Sequence, residues 1–165
     1  MTDPFAGIDP MQLERQVCFA LAVASREVVS LYRPLLEPLG LTHPQYLVMV
    51  ALWENDVSLS VKQLTRLLKL EAPTLSPLLK RLEVAGLVER QRDPADERSL
   101  LVTLTDRGRA LREPAARVPS TIVAQLGMTL PELKALQDVL SQVIARAKAQ
   151  EARPGDPVPP LAPPA

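Results

Sequence analysis

The chain of 165 residues contains one cysteine and one histidine, so its reactive side chains can be weighed one at a time. Cys18 sits in Val17-Cys18-Phe19-Ala20-Leu21, and Cys18, Ala22, Ser25, Val29 and Tyr32 follow one another at helical intervals of three or four residues. That spacing sets them on one helix face. A thiol there is either a small hydrophobe that packs well or a nucleophile whose thiolate a neighbouring donor stabilises. Tyr32 shares the face, but it lies about 21 Å along the axis at about 1.5 Å per residue, so it cannot reach the sulfur of its own chain. A phenol from a second copy could. The lone Cys excludes an internal disulfide, and one Cys with one His argues against a Cys/His metal site within one subunit. No metal or other cofactor is expected. With no phosphate-cradling glycine-rich loop and one His for any Ser/His/Asp arrangement, an enzyme is not expected either. A thiol peroxidase is the alternative that Cys18 itself leaves open.

A second group of residues suits polyanions. The formal charge balances at 19 against 19, but eleven Lys/Arg face seven Asp/Glu between Lys62 and Arg112, which leaves the remainder net acidic. A cationic middle marks either a polyanion-binding module or an unevenly charged solvated surface. Leu75, Leu78, Leu79 and Leu82 mark the core side of a helix from about Ala72 to Ala85. Thr74, Ser76, Lys80 and Arg81 then fall outside that core, where Lys and Arg neutralise phosphates and Thr and Ser bond backbone or base edges. Arg92 and Arg98 lie in the polar stretch 91–99 and suit a narrow minor groove, whose negative potential attracts guanidinium. Asp96 either orients Arg98 or forms with it a surface ion pair worth about 0–1 kcal/mol.

The elements that must position these residues are also legible. Leu13, Val17, Leu21, Val28, Leu31 and Leu35 predict a long amphipathic helix from Met11 to about Glu37, ended by Pro38 and Gly40. Thr42-His43-Pro44-Gln45 and Ser60-Val61-Lys62-Gln63 have the form of capping boxes that open two short helices, the second with Val61, Leu64, Leu67 and Leu68 as its buried stripe. A third helix begins near Ala72 with Pro73 in its first turn, gives up one backbone bond at Pro77, and stops at Gly86. Leu87–Arg90 and Leu100–Leu104 read as a β-hairpin with residues 91–99 as a long tip. Thr105 and Asp106 start another helix, and Thr129-Leu130-Pro131-Glu132 opens the last, through about Lys148. Six prolines in residues 151–165 predict a disordered or polyproline-like tail.

The expected fold is therefore mainly α with a small β wing. A winged helix-turn-helix (40–111) would lie between N- and C-terminal dimerisation helices (11–38 and 112–148). The apolar runs, such as Cys18 to Ala24, are too short for a membrane span, and Met1-Thr2-Asp3-Pro4 lacks the basic start of a secretory signal. A cytoplasmic protein is expected.

The stretch from Arg90 to Gly108, with Asp96-Glu97-Arg98-Ser99 and Leu104-Thr105-Asp106-Arg107-Gly108, resembles the wing and following helix of the MarR family of dimeric transcriptional regulators. The segments 13–21, 32–36, 44–48 and 52–54 resemble its organic-hydroperoxide-sensing branch, OhrR, and the similarity spans about residues 11 to 148. The resemblance implies a homodimer with intertwined first and last helices, which suits two apolar stripes that a small winged domain cannot bury. It implies a repressor that binds double-stranded DNA at an inverted-repeat operator. It also implies that an organic hydroperoxide oxidises Cys18 to a sulfenic acid, which a small thiol then caps, releasing the DNA. In that branch tyrosines of the other subunit hold the cysteine, a role that Tyr32 matches.

Ala22 and His43 stand where the branch usually has tyrosine. Ala22 leaves space near the thiol. His43 can donate a hydrogen bond and, when protonated, would hold a thiolate more firmly than a phenol does. Glu71-Ala72-Pro73 replaces Asp, Ser and Gly types in the recognition helix, so a different target sequence is expected. The alternative within the family is release by a small phenolic or aromatic ligand bound between dimer arm and winged domain.

Overall fold

The computed structural model describes residues 16–55, 57–94 and 96–151, the side chains of 96–98 and 151 excepted. The order is α1 (Val17–Leu36), a 3-10 turn (Glu37–Leu39), α2 (His43–Asn55), β1 (Leu59–Ser60), α3 (Val61–Leu68) and α4 (Ala72–Val84). Then come β2 (Val88–Asp93), β3 (Asp96–Leu104), α5 (Asp106–Ala110), α6 (Arg112–Ala115), α7 (Val118–Leu126) and α8 (Leu130–Glu151). This is the expected mainly helical class with a small β wing. The chain forms two compact units, one through Ile122 and one from Val123 onward. The expected helix start at residues 11–15 and the proline-rich tail beyond Glu151 lie outside the described residues. Among the described residues no helix is long and apolar enough to cross a membrane.

The helix boundaries follow from their caps. At α3 the Ser60 hydroxyl accepts from the Gln63 amide at 3.2 Å while Gln63 Oε1 accepts from the Ser60 amide at 2.7 Å, the reciprocal box expected there. Thr129 and Glu132 do the same for α8. At α2 the Thr42 amide and hydroxyl both donate to Gln45 Oε1, at 2.8 and 2.9 Å, as those of Thr129 do to Glu132, but among the described residues no backbone amide donates to the Thr42 hydroxyl. At the end of α4, Gly86 takes φ 69° while its amide bonds Glu83 O and the Leu87 amide bonds Leu82 O. Glycine adopts that left-handed angle without a Cβ penalty and turns the chain into β2.

The core of the first unit joins α2, α3, α4 and the sheet. Val48, Met49, Leu52, Leu64, Leu75, Leu79, Leu82, Val88 and Val102 are all essentially fully buried, each side chain worth about 1.5–3 kcal/mol of apolar burial. Leu67 is a correction to the expected stripe of α3, because it is 53% exposed while Leu64 is buried. The hairpin also differs from expectation. Its strands continue through most of residues 91–99, with Arg92 opposite Leu100 and Asp93 opposite Asp96, and an irregularity at Arg92/Asp93. Charged side chains there are compatible with strand because the ladder needs only backbone groups and Arg92 faces solvent. Two-residue β1 pairs with β3 to complete the order β1-β3-β2, too short to leave a sequence pattern. The helix expected after Thr105 is broken into α5, α6 and α7. Pro114 and Pro119 lack the amide that would bond four residues back, to the last residues of α5 and α6.

One junction fixes α4 and the wing relative to α2. Trp53 Nε1 donates to Gly108 O at 2.8 Å in the buried interior, and Gly108 comes so close to Leu87 that an added Cβ would lie 2.0 Å from the Leu87 carbonyl oxygen. From the same turn, Thr105 Oγ1 donates to Gly86 O at 2.7 Å and Arg107 to Ala85 O at 3.0 Å. These bonds satisfy carbonyls at the C-terminus of α4 that the helix itself leaves open. Gly108→Ala must push two backbones apart, and urea unfolding should show a loss of about 1–3 kcal/mol.

Candidate functional site

Cys18 lies in the first turn of α1 and is exposed. The helix runs unbroken to Leu36, which confirms the shared face from Cys18 to Tyr32 and keeps the two apart. Leu36 is the one fully buried residue of α1, whereas Val17 is 66% exposed and Phe19, Leu21 and Val29 are also exposed. At the other end of the chain, α8 likewise leaves Leu130, Leu136, Val139, Val143 and Ile144 exposed.

Tyr32 and His43 come together. Their rings meet edge to face with centroids 4.6 Å apart, Tyr46 follows at 6.0 Å from Tyr32, and Trp53 at 6.4 Å from Tyr46. Burial pushes the His43 imidazole below its ordinary value, which favours the neutral ring with its single N–H donor. Burial, and then the neighbouring Tyr32, raise the Tyr46 phenol, which keeps it protonated. His43 borders a cleft of about 770 Å³ whose walls include Val29, Leu36, Leu41 and Pro44. Arg26 and Arg33, seven residues apart on α1, line the same cleft, and neither has an ion-pair partner among the described residues.

On α4, Leu75, Leu79 and Leu82 turn inward while Thr74, Ser76, Lys80 and Arg81 are all exposed. Arg92 is exposed on β2. Asp96 and Arg98 belong to β3, but their side chains lie outside the described residues. Arg90 is engaged elsewhere: its Nε donates to Glu83 Oε2 at 2.9 Å and its Nη2 contacts the same oxygen.

Residues 30–113 match the family described as transcriptional regulator SarA/Rot. The organic hydroperoxide resistance transcriptional regulator of Bacillus subtilis is 44% identical over 132 residues, 80% of this chain and 89% of that protein. The chain belongs to the MarR family of transcriptional regulators. Among solved structures, reduced AbfR bound to DNA matches with TM-score 0.70 and 34% identity over 83% of this chain and 95% of its own. AbfR, a Staphylococcus epidermidis protein, has also been solved in a disulfide form and overoxidised on DNA. E. coli MarR matches at TM-score 0.62 and 25% identity over 78% and 96% of the two chains.

Within a MarR-family chain the Leu104-to-Gly108 motif has a structural explanation: it is the N-cap, close approach and carbonyl clamp that tie α5 to α4. The reading from sequence overlooked Arg26 and Arg33, although their seven-residue spacing places them on one face, and it overlooked the Trp53 bond, which joins residues 55 apart. The Arg90 hydrogen bond holds the Glu83 carboxyl below its ordinary value. Its small contribution, under about 1 kcal/mol for a pair this exposed, is present at neutral pH and is lost as pH falls through the lowered folded-state value. Unfolding measured from about pH 7 to pH 3 should therefore show wild type and Glu83→Gln converging at the acid end.

Proposed function

We propose that the protein is a cytoplasmic homodimeric transcriptional repressor that binds an inverted-repeat operator through α4 and the β2–β3 wing. Oxidation of Cys18 by an organic hydroperoxide releases it. The observation that carries this reading is the exposed Cys18 on a largely uncovered apolar helix, one face but about 21 Å away from the Tyr32–His43 pair. Residues 11–38 and 112–148 contribute the dimer arm and 40–111 the DNA-binding module. In the antiparallel dimer each Cys18 meets the other subunit's Tyr32 and His43, whose O–H and N–H donate to sulfur and favour the thiolate.

The thiolate attacks the terminal oxygen of R–O–O–H. The S–O bond forms, the O–O bond breaks, and the departing alkoxide takes a proton to leave as alcohol. The sulfenic acid condenses with a small thiol, releasing water and leaving a mixed disulfide. That bulky adduct, rather than a higher oxide, is the releasing form; overoxidised AbfR bound to DNA and the separate disulfide form of AbfR support that distinction.

Lys80, Arg81, Arg92 and Arg98 neutralise phosphates, Asp96 orients Arg98, and Thr74 and Ser76 bond phosphate or base edges. A second reading rests on the cleft itself, where Arg26 and Arg33, without an ion-pair partner among the described residues, stand with Glu37 beside apolar Val29, Leu36 and Leu41, and suit a small aromatic carboxylate. It predicts release by such a ligand in a chain without Cys18.

Operator binding should fall at least tenfold after cumene hydroperoxide and cysteine are added to wild type, while Cys18→Ser stays bound. An equal response of the two proteins removes the redox reading. Lys80→Ala and Arg81→Ala should each weaken binding to all sequences and make the plot of log affinity against log salt shallower by about 0.9 per lost phosphate contact.

A further inference from the structure

The outward face of α4 is centred on groups that cannot hydrogen-bond. Opposite buried Leu75, Leu79 and Leu82, helical spacing aligns Pro73, Pro77 and Val84, all exposed, with Val84 at 82%. Ser76 and Lys80 flank this ridge on one side, Thr74 and Arg81 on the other. Pro77 lies inside the helix, where it removes a backbone bond that α4 would otherwise make. Because Pro77 is exposed, no core packing offsets that loss. A local rule broken on an outward face points to what the face contacts.

We propose that Pro73 and Pro77 read thymine methyl groups in the major groove, an inference that rests on the DNA-binding reading above. The charged flanks suit phosphates on either side of a groove, which leaves the ridge over the base edges. Of the groups displayed there, the thymine C5-methyl is the one that takes apolar contact. Four helical residues separate the two proline rings by about 6 Å, close to two base steps of about 3.4 Å each. Neither ring has a donor or acceptor in its side chain, so this part of the readout depends on methyl burial.

The test uses a duplex selected by the reduced full-length protein from a random-sequence pool, remade with deoxyuridine replacing thymidine at one position at a time. Deoxyuridine keeps every hydrogen-bonding group and removes only the methyl. Affinity should fall about fourfold for each contacted methyl and about 15-fold when both half-sites lose one. The double variant Pro73→Ala, Pro77→Ala should keep or exceed the wild-type thermal midpoint, since an interior proline is gone, while its thymidine-to-deoxyuridine ratio drops towards one. Equal affinity at every position, or a full ratio retained in the double variant, overturns the inference and leaves DNA binding standing. A pool that yields no bound duplex overturns the DNA-binding reading and this inference together.

Discussion

A stiff helix sets the terms for the rest of the molecule. Between Cys18 and Tyr32 there is neither glycine nor proline, and α1 passes through both without a break. Its rise fixes their separation at about 21 Å, a distance no rotamer change can close. The side chains that could form a thiol-centred site on this face therefore cannot assemble within one chain. The exposed apolar residues of α1 and α8 impose a matching demand, because surfaces of this kind in a folded protein call for a covering partner. A second copy meets both demands at once.

The DNA-facing part is governed by a different kind of constraint, close approach of backbones. Gly108 against Leu87 leaves no room for a Cβ, and around that contact Trp53 donates to the Gly108 carbonyl of α5 while Thr105 and Arg107 donate to Gly86 and Ala85 at the end of α4. Buried or terminal carbonyls left without donors would each be costly. Their bonding here gives the end of α4 a fixed position relative to the wing. A recognition surface requires that rigidity, since Thr74, Lys80 and Arg81 on the helix and Arg92 on the strand are useful together only if their spacing is held.

Local signals are legible in this sequence, and cooperative ones are not. Ser60/Gln63, Thr129/Glu132 and Gly86 act through neighbours three to five residues away, and all three appear where their types and spacing place them. Thr42 shows the limit: Gln45 reaches back to its amide and hydroxyl, yet among the described residues the hydroxyl accepts from no helix amide, so only half of the expected box forms. Strand length in the wing depends on pairing with a distant partner, so the polar stretch 91–99 looked like a turn while the ladder carried it as strand. At the candidate site, the Cys18–Tyr32 face followed from periodicity alone. The Tyr32–His43 contact requires the turn at Gly40 to bring α2 back along α1, and the downward shift of the His43 imidazole comes from burial that spacing does not encode.

The two constraints meet in α2. His43 begins this helix at the cleft, and Trp53, near its end, holds Gly108 at the junction beneath α4. Between them Gln45, Tyr46, Val48, Met49, Ala51 and Leu52 are buried, so nearly every turn of α2 is packed against something. A helix packed at that density cannot absorb a displacement by bending locally, because a void or an overlap of even one methylene is felt. Bulk introduced beside His43 must either be accommodated within the cleft or shift α2 as a body. The Trp53 indole, bonded to Gly108 O, is the point at which α2 meets the turn that clamps Ala85 and Gly86 at the base of α4. The aromatic run from Tyr32 through Tyr46 to Trp53 lies along this course, and large planar rings in mutual contact leave little slack between its ends.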